Sequence, residues 1–107
     1  DIHPIDNLRV LKRLESQFGA DQAVKDEWYA HWIVEGLDAL EAMAGEDGPF
    51  LGGQAPDLSD VCLVPQLYNA RRGGLDPARW PKLARAEAAM VALPAVQAAH
   101  PDRFKPD

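Results

Sequence analysis

The apolar residues of this chain recur every three or four positions, which is the period of a helix and not the alternation of a strand. Such a stripe marks a first helix that ends at Gly19, and it consists of Ile5, Leu8, Leu11, Leu14 and Phe18. A longer stripe follows a capping Asp21 and stops at Gly45; it consists of Val24, Trp28, Trp32, Leu37, Leu40 and Met43. No segment alternates as a strand does, so the pattern predicts an all-α fold.

A third helix is predicted where the sequence Asp57-Leu-Ser-Asp60 resembles a capping box. The Asp57 side chain would cap the backbone donors of the first turn, and the Asp60 side chain would reach back to the start of the helix. Positions 58–67 are apolar nearly all round, which predicts that this helix is the central, buried element. Pro65 lies inside it and should kink its axis, because proline lacks the backbone donor. The turn-rich loop before it contains Phe50-Leu51, which we expect to hold the loop against the core.

Glycines and prolines mark the remaining elements. Gly73-Gly74 should end the central helix, and Pro77 and Pro81 suit the first turns of short helices. The next apolar stripe consists of Leu83, Ala86, Met90 and Leu93. A last short helix is predicted from Pro94 to His100, followed by a loose polar tail. The prediction is therefore a bundle of five or six helices with a kinked, buried central helix, in a single domain over residues 1–107.

Composition narrows the classes of function. The chain has 107 residues, of which 47% are hydrophobic and 26% charged, as is typical of one globular domain. A net charge of −6 argues against a general nucleic-acid surface, which needs clustered Lys and Arg. No apolar run approaches the length of a membrane span, and the single Cys62 excludes an internal disulfide framework. We therefore expect a cytoplasmic domain that binds neither nucleic acid nor membrane.

Two clusters carry the candidate chemistry, and the first is the segment His3-Pro4-Ile5-Asp6-Asn7-Leu8-Arg9. It could present His3, Asn7 and Arg9 to one cleft. In an ideal helix, however, Arg9 points away from the other two, so the cluster requires Pro4 to distort the turn. The alternative is an ordinary polar face.

The second cluster is Asn69-Ala70-Arg71-Arg72, at the end of the central helix. These two cations could bind an anion, or they could simply offset the helix dipole. The three histidines of the chain are too scattered for a recognisable metal motif, so we predict no metal site. No candidate nucleophile is found anywhere in the sequence, which suggests that a catalytic group would come from elsewhere.

Three segments carry a family resemblance: DIHPIDNLRVL at 1–11, LVPQLYNARR at 63–72 and LPAVQAAHP at 93–101. They closely resemble the C-terminal domain of zeta-class glutathione transferases, whose bacterial members are maleylacetoacetate and maleylpyruvate isomerases. The resemblance extends over nearly the whole chain. It implies that the chain is a fragment that lacks an upstream thioredoxin-like domain, where glutathione binds, and that the whole protein is a homodimer.

The resemblance also implies roles for individual residues. His3, Asn7, Leu8 and Arg9 match positions at the glutathione cleft, and Arg9 and Arg72 match positions that bind a substrate carboxylate. The implied reaction is glutathione-dependent isomerisation of a maleyl dicarboxylate to its fumaryl isomer, with no catalytic residue in this fragment and with the fragment alone inactive. Two alternatives remain open, namely a general glutathione transferase and a non-catalytic helical binding or assembly module of the same fold.

Overall fold

A computed structural model describes residues 2–106; Asp1, in the first motif, and Asp107, in the predicted tail, lie outside the described residues. The α-helices of that part are α1 (Ile2–Asp6), α2 (Leu8–Phe18), α3 (Gln22–Met43), α4 (Leu58–Arg72), α5 (Pro81–Val91) and α6 (Pro94–Ala98). Short 3-10 turns occupy Pro77–Arg79 and Pro101–Phe104. Residues 2–106 contain no strand, so the predicted all-α fold with five or six helices is confirmed.

The core lies where α3, α4 and α5 meet. Its fully buried aliphatic side chains come from all three helices, and they are Ile33, Leu37, Leu63, Leu67 and Leu83. Trp80, immediately before α5, is also buried, and its indole Nε1 donates a hydrogen bond of 2.6 Å to the Asp38 carboxylate on α3. This bond satisfies the one polar atom of the ring, which allows the whole indole to pack inside.

The first predicted helix is in fact two helices, because the chain is extended at Asn7, with φ −72° and ψ 160°. The Asn7 Oδ1 accepts from the backbone N–H groups of Arg9 and Val10 at 2.9 and 3.3 Å, and its Nδ2 donates to the Pro4 carbonyl at 2.8 Å. Asparagine thus satisfies backbone groups on both sides of the interruption. The predicted stripe is also only partly buried, since Leu8 and Phe18 are exposed.

The predicted central helix, α4, is buried along one face, and its apolar residues on the other face are exposed. Asp60, Leu63, Leu67 and Ala70 form a buried face, whereas the opposite face exposes Leu58, Val61 and Cys62. Nothing in the part of the chain that the structure describes covers that face. The helix continues through Pro65 without interruption, and the kink at this proline stays a prediction.

The predicted capping box at the start of α4 is confirmed. The Asp57 carboxylate accepts from the backbone N–H of Ser59 at 2.8 Å, and the Asp60 carboxylate accepts from that of Asp57 at 3.0 Å. The second oxygen of Asp60 accepts from the backbone N–H of Leu51 at 2.9 Å. Because Phe50 and Leu51 are buried, the loop is held against the core as expected.

The C-terminal region differs slightly from its prediction. Pro77 and Pro81 do begin short helices, but α6 ends at Ala98 and does not reach His100. The segment that was expected to be loose forms a 3-10 turn, because the His100 Nδ1 accepts from the backbone N–H of Asp102 at 3.2 Å. No helix within residues 2–106 is both long and apolar enough to cross a membrane.

Candidate functional site

The site is built on α1, which is fixed firmly to α3. The indole Nε1 of Trp28 donates a hydrogen bond of 3.2 Å to the Ile5 carbonyl. Ile2 packs so closely on Gly36 that a Cβ atom there would lie 2.3 Å from the isoleucine side chain. Only glycine permits this approach, so α1 has a defined position on the face of α3.

The predicted residues of the first cluster gather at the junction of α1 and α2. His3, Leu8 and Arg9 are exposed, and Asn7 is half-buried with its side chain engaged in the helix cap. The change of direction that the cluster requires occurs at Asn7, whereas Pro4 lies within α1. The interruption between the two helices therefore lies at Asn7 and not at Pro4, contrary to the hypothesis that Pro4 distorts the turn.

The two arginines of the second cluster have different surroundings. Arg71 forms a bidentate pair with the buried carboxylate of Glu87 on α5, with nitrogen–oxygen distances of 2.7 and 2.5 Å. The neighbouring Arg72 is exposed and forms no ion pair within residues 2–106. The helix dipole is thus not the main partner of Arg71, and Arg72 is the arginine of this cluster that has no carboxylate partner within residues 2–106.

Tyr29 of α3 packs against the end of α4. Its ring packs on Gly73, where a Cβ atom would lie 3.2 Å from the tyrosine Cδ1. Burial raises the pKa of the Tyr29 hydroxyl, the negative charge of Asp6 raises it further, and the positive charge of Arg72 acts in the opposite direction. The pKa of this hydroxyl therefore depends on two charges, one on α1 and one at the end of α4.

Asp6 is the buried acid of α1. It is only 8% exposed, and neither carboxylate oxygen has a hydrogen-bond partner in the described part of the chain. Burial raises the pKa of Asp6 to about 6, although the nearby His31 acts to lower it. Asp6 therefore keeps its proton to a higher pH than an exposed aspartate does, because a charge without partners is costly in the protein interior.

Sequence interpretation assigned no role to Asp6 or Tyr29, although the signals were present. Asp6 follows Ile2 by four positions and thus shares the buried face of α1. Tyr29 precedes the buried Ile33 and Leu37 by four and eight positions, so it lies on the core face of α3. Both would have been identified by asking which polar residues occupy core positions.

A second concave surface lies on the other side of α4 and was not predicted. This apolar groove has a volume of about 630 Å³, and its wall includes Val61, Pro65, Tyr68, Met90, Val91 and Val96 from α4, α5 and α6. His3, Asn7, Leu8, Arg9 and Arg72 do not line it, whereas Arg71 of the second cluster does, together with its partner Glu87. Within residues 2–106, no group of three or more His, Cys, Asp or Glu side chains could hold a metal ion.

The sequence of this chain matches a known protein family and several curated relatives. The family model described as glutathione S-transferase, C-terminal domain, matches residues 22–102. Among curated relatives, the probable maleylacetoacetate isomerase of Vibrio cholerae is 44% identical over 108 residues, which cover 100% of this chain and 50% of that protein. The chain thus spans about half the length of the curated relatives it matches.

Two solved structures, both of isomerases, superpose on nearly the whole of this chain. The holo structure of a maleylpyruvate isomerase, a bacterial zeta-class glutathione S-transferase, superposes with a TM-score of 0.90 at 40% identity, covering 100% of this chain and 51% of that one. The maleylacetoacetate isomerase of Anaeromyxobacter dehalogenans 2CP-1, with bound dicarboxyethyl glutathione and citrate in its active site, superposes with a TM-score of 0.84 at 47% identity. That match covers 97% of this chain and 46% of the other.

Proposed function

Because the chain belongs to the glutathione S-transferase C-terminal domain family, as its motifs predicted, we propose that it is the substrate-binding half of a glutathione-dependent isomerase. The substrate is maleylacetoacetate or maleylpyruvate, and the product is the fumaryl isomer. The observation that carries the proposal is the 44% identity to a probable maleylacetoacetate isomerase along the whole chain. The zeta-class structure with a TM-score of 0.90 supports the same class of enzyme.

We propose further that the full-length protein, meaning the complete product of the gene that encodes this chain, also contains a thioredoxin-like domain that binds glutathione. The half-length match to the relatives supports this proposal. The apolar groove supports it as well, because a concave apolar surface of this size is usually covered in the working protein. The exposed Leu58 of α4 lies one turn before Val61 of the groove wall and adds to the exposed apolar surface.

The proposed site residues are those of the α1–α2 junction together with Arg72. His3, Asn7, Leu8 and Arg9 face glutathione, and Arg9 and Arg72 bind the carboxylates of the substrate. The exposed guanidinium groups of Arg9 and Arg72 fit a dicarboxylate, since arginine offers two parallel donors to a carboxylate. The polar atoms of Asn7 are engaged in the cap, so this residue contributes mainly by fixing the start of α2.

Glutathione supplies the thiol whose reversible addition to the maleyl double bond permits rotation about it. The task of this chain is therefore to bind and orient. Arg72 holds one carboxylate, and Arg9 stabilises negative charge that develops on the oxygens of the substrate. This division of roles is consistent with a chain that supplies cations but no nucleophile.

The test replaces Arg72 by Ala in the full-length protein, with Arg13→Ala as the control for loss of an exposed arginine elsewhere. We expect kcat/KM with maleylacetoacetate or maleylpyruvate to fall by about tenfold to a hundredfold in Arg72→Ala, since a charge-assisted bidentate contact is lost. Unchanged kinetics would contradict the assigned role. Turnover of apolar electrophiles in preference to maleyl substrates would indicate a general transferase, and failure to bind glutathione would indicate a non-catalytic module.

The assembly and location of the protein are also proposals. The family resemblance supports a homodimer, which light scattering of the full-length protein would detect as twice the mass of one chain. A single, exposed cysteine suits a reducing compartment and supports a cytoplasmic location. Cell fractionation tests this location, and recovery of the protein outside the cytoplasm would contradict it.

A further inference from the structure

The last turn of α4 is joined to α5 by a pair of charged side chains. The two terminal nitrogens of Arg71 donate to the Glu87 carboxylate at 2.7 and 2.5 Å. Glu87 is buried, and about half of the Arg71 side chain is exposed. Ala70, the residue before Arg71, lies fully inside the core. The pair therefore holds the turn that carries Arg72 against α5.

The guanidinium of Arg72 is exposed, and no hydrogen bond or ion pair holds it within residues 2–106. What this part of the chain fixes is therefore the backbone from which the Arg72 side chain extends. Arg71 precedes Arg72 directly, so the contact that holds Arg71 on α5 also limits how the last turn of α4 can shift or rotate. This limit matters, since a displacement of about 1 Å at a substrate contact can lower the rate about a hundredfold.

The charge on α5 calls for a physical reason, because Glu87 and Arg71 both line a groove that is otherwise mainly apolar. An ion pair with a buried partner contributes little net stability, since removing charge from water costs about as much as the attraction returns. Methionine and leucine would fill the same wall without this cost. A bidentate pair does define geometry, because the planar guanidinium meets the carboxylate in one orientation. The pair is therefore better explained by position than by stability.

We propose that Glu87 and Arg71 are positioning residues, which set the end of α4 against α5 and so place Arg72 for a carboxylate of the substrate. The inference rests on the proposed function and adds two residues to it. Glu87 acts through Arg71, and Arg71 acts through the backbone that it shares with Arg72. Neither of the two needs to touch the substrate.

The main test replaces both partners in the full-length protein, Arg71→Met together with Glu87→Leu, so that apolar contacts of similar volume take the place of the ion pair. We expect the thermal midpoint to change little. KM for the maleyl substrate should rise about threefold to tenfold, and KM for glutathione should stay unchanged. The matched control is Glu15→Gln, which removes the charge of an ion pair of 2.9 Å with Lys25 and should behave as the wild type.

Two further variants separate positioning from a general structural role. Glu87→Gln keeps the shape of the side chain and leaves Arg71 a weaker acceptor, so it should raise the same KM by a smaller factor. In an Arg72→Ala background the double replacement should change KM little further, whereas independent effects would add. Additive effects, or an equal rise in KM for glutathione and for the maleyl substrate, would overturn the proposal.

Amide hydrogen exchange separates failure of this inference from failure of the proposed function, because it needs no substrate. The backbone N–H groups of Gly73 and Leu75 donate to the carbonyls of Asn69 and Ala70 at 3.0 and 2.9 Å, so they report on the last turn of α4. Their exchange in the full-length protein should speed up about threefold or more in the double variant and stay unchanged in Glu15→Gln.

Faster exchange in a protein that does not isomerise maleyl substrates would refute the proposed function and still support the positioning of the end of α4. Equal exchange in the wild type and the double variant would overturn the inference, and so would an unchanged KM for the maleyl substrate in an active double variant.

Discussion

At the scale of single residues, Asp6 should make the stability of the protein depend on pH. Its pKa rises from an ordinary 3.8 to about 6 on folding, mainly because the group is buried. The folded protein therefore holds this proton more tightly than the unfolded chain does. The resulting stabilisation of the folded state is complete below pH 3.8 and is lost as pH rises through about 6. At neutral pH the charged, buried carboxylate therefore lowers the free energy of unfolding.

Asp6→Asn should remove this dependence, because an amide has a similar shape and does not ionise. We expect the variant to be more stable than the wild type at pH 7.5 by about 1 to 3 kcal/mol and to show little difference near pH 4. Urea unfolding of the full-length protein across that range is the measurement. Asp47→Asn, at an exposed loop position, is the control, and the prediction fails if both variants show the same profile.

Asn7 and Pro4 illustrate what the sequence could and could not predict at this scale. The motif drew attention to the segment, but it left open how one helix could present His3 and Arg9 to the same cleft. Asparagine is a common capping residue, so the interruption could have been predicted from Asn7 itself. The apolar stripe on both sides concealed it, since a continuous periodic pattern favours one helix.

At the scale of elements, the start of α4 depends on the buried carboxylate of Asp60. This carboxylate accepts hydrogen bonds from the backbone N–H groups of Asp57 and Leu51, and the Asp60 side chain is fully buried. Asp60→Ala should destabilise the protein by about 2 to 4 kcal/mol, since one helix cap is lost and a buried backbone donor is left without a partner.

Thermal or urea unfolding of the full-length protein measures this effect. The matched control is Asp76→Ala, which removes an exposed aspartate whose carboxylate accepts from the backbone N–H of Ala78 at 2.9 Å. We expect the control to cost less than about 1 kcal/mol, because exposed donors can turn to water. A similar loss in both variants would show that Asp60 acts only as an ordinary cap.

The helices themselves were largely predictable, because caps and breakers are local signals. Asp21, Asp57, Pro77 and Pro81 each begin an element as expected. What the local pattern could not predict is which apolar positions are covered. Val61 has the same apolar character as the buried Leu63, and only the arrangement of neighbouring helices decides between them.

At the scale of the whole molecule, the candidate site depends on contacts between distant segments. Trp28 and Ile5, or Tyr29 and Gly73, are far apart in sequence, and no periodicity connects them. The family resemblance nevertheless drew attention to the α1–α2 junction and to Arg72. It could not reveal the burial of Asp6 or the packing of Tyr29 on Gly73, because both depend on the assembled fold and not on a motif.

The apolar groove gives the last prediction, which concerns the 107-residue chain expressed alone. Val61 and Val91 are exposed in the wall of this groove, which has a volume of about 630 Å³. The isolated chain should therefore bind a hydrophobic dye strongly and associate with itself. The full-length protein should bind the dye weakly, since its second half would cover the groove. Glutathione-dependent turnover should be absent from the isolated chain.

Two serine variants locate the dye on the surface. Val61→Ser should reduce dye fluorescence of the isolated chain by about half or more, because it makes the groove wall polar. Val24→Ser changes an exposed valine of α3 outside the groove, so its fluorescence should match that of the unmodified chain. Circular dichroism of all three must show the same helical content. Equal dye binding by both variants would mean that the exposed apolar surface lies elsewhere, and strong binding by the full-length protein would mean that its second half leaves the groove open.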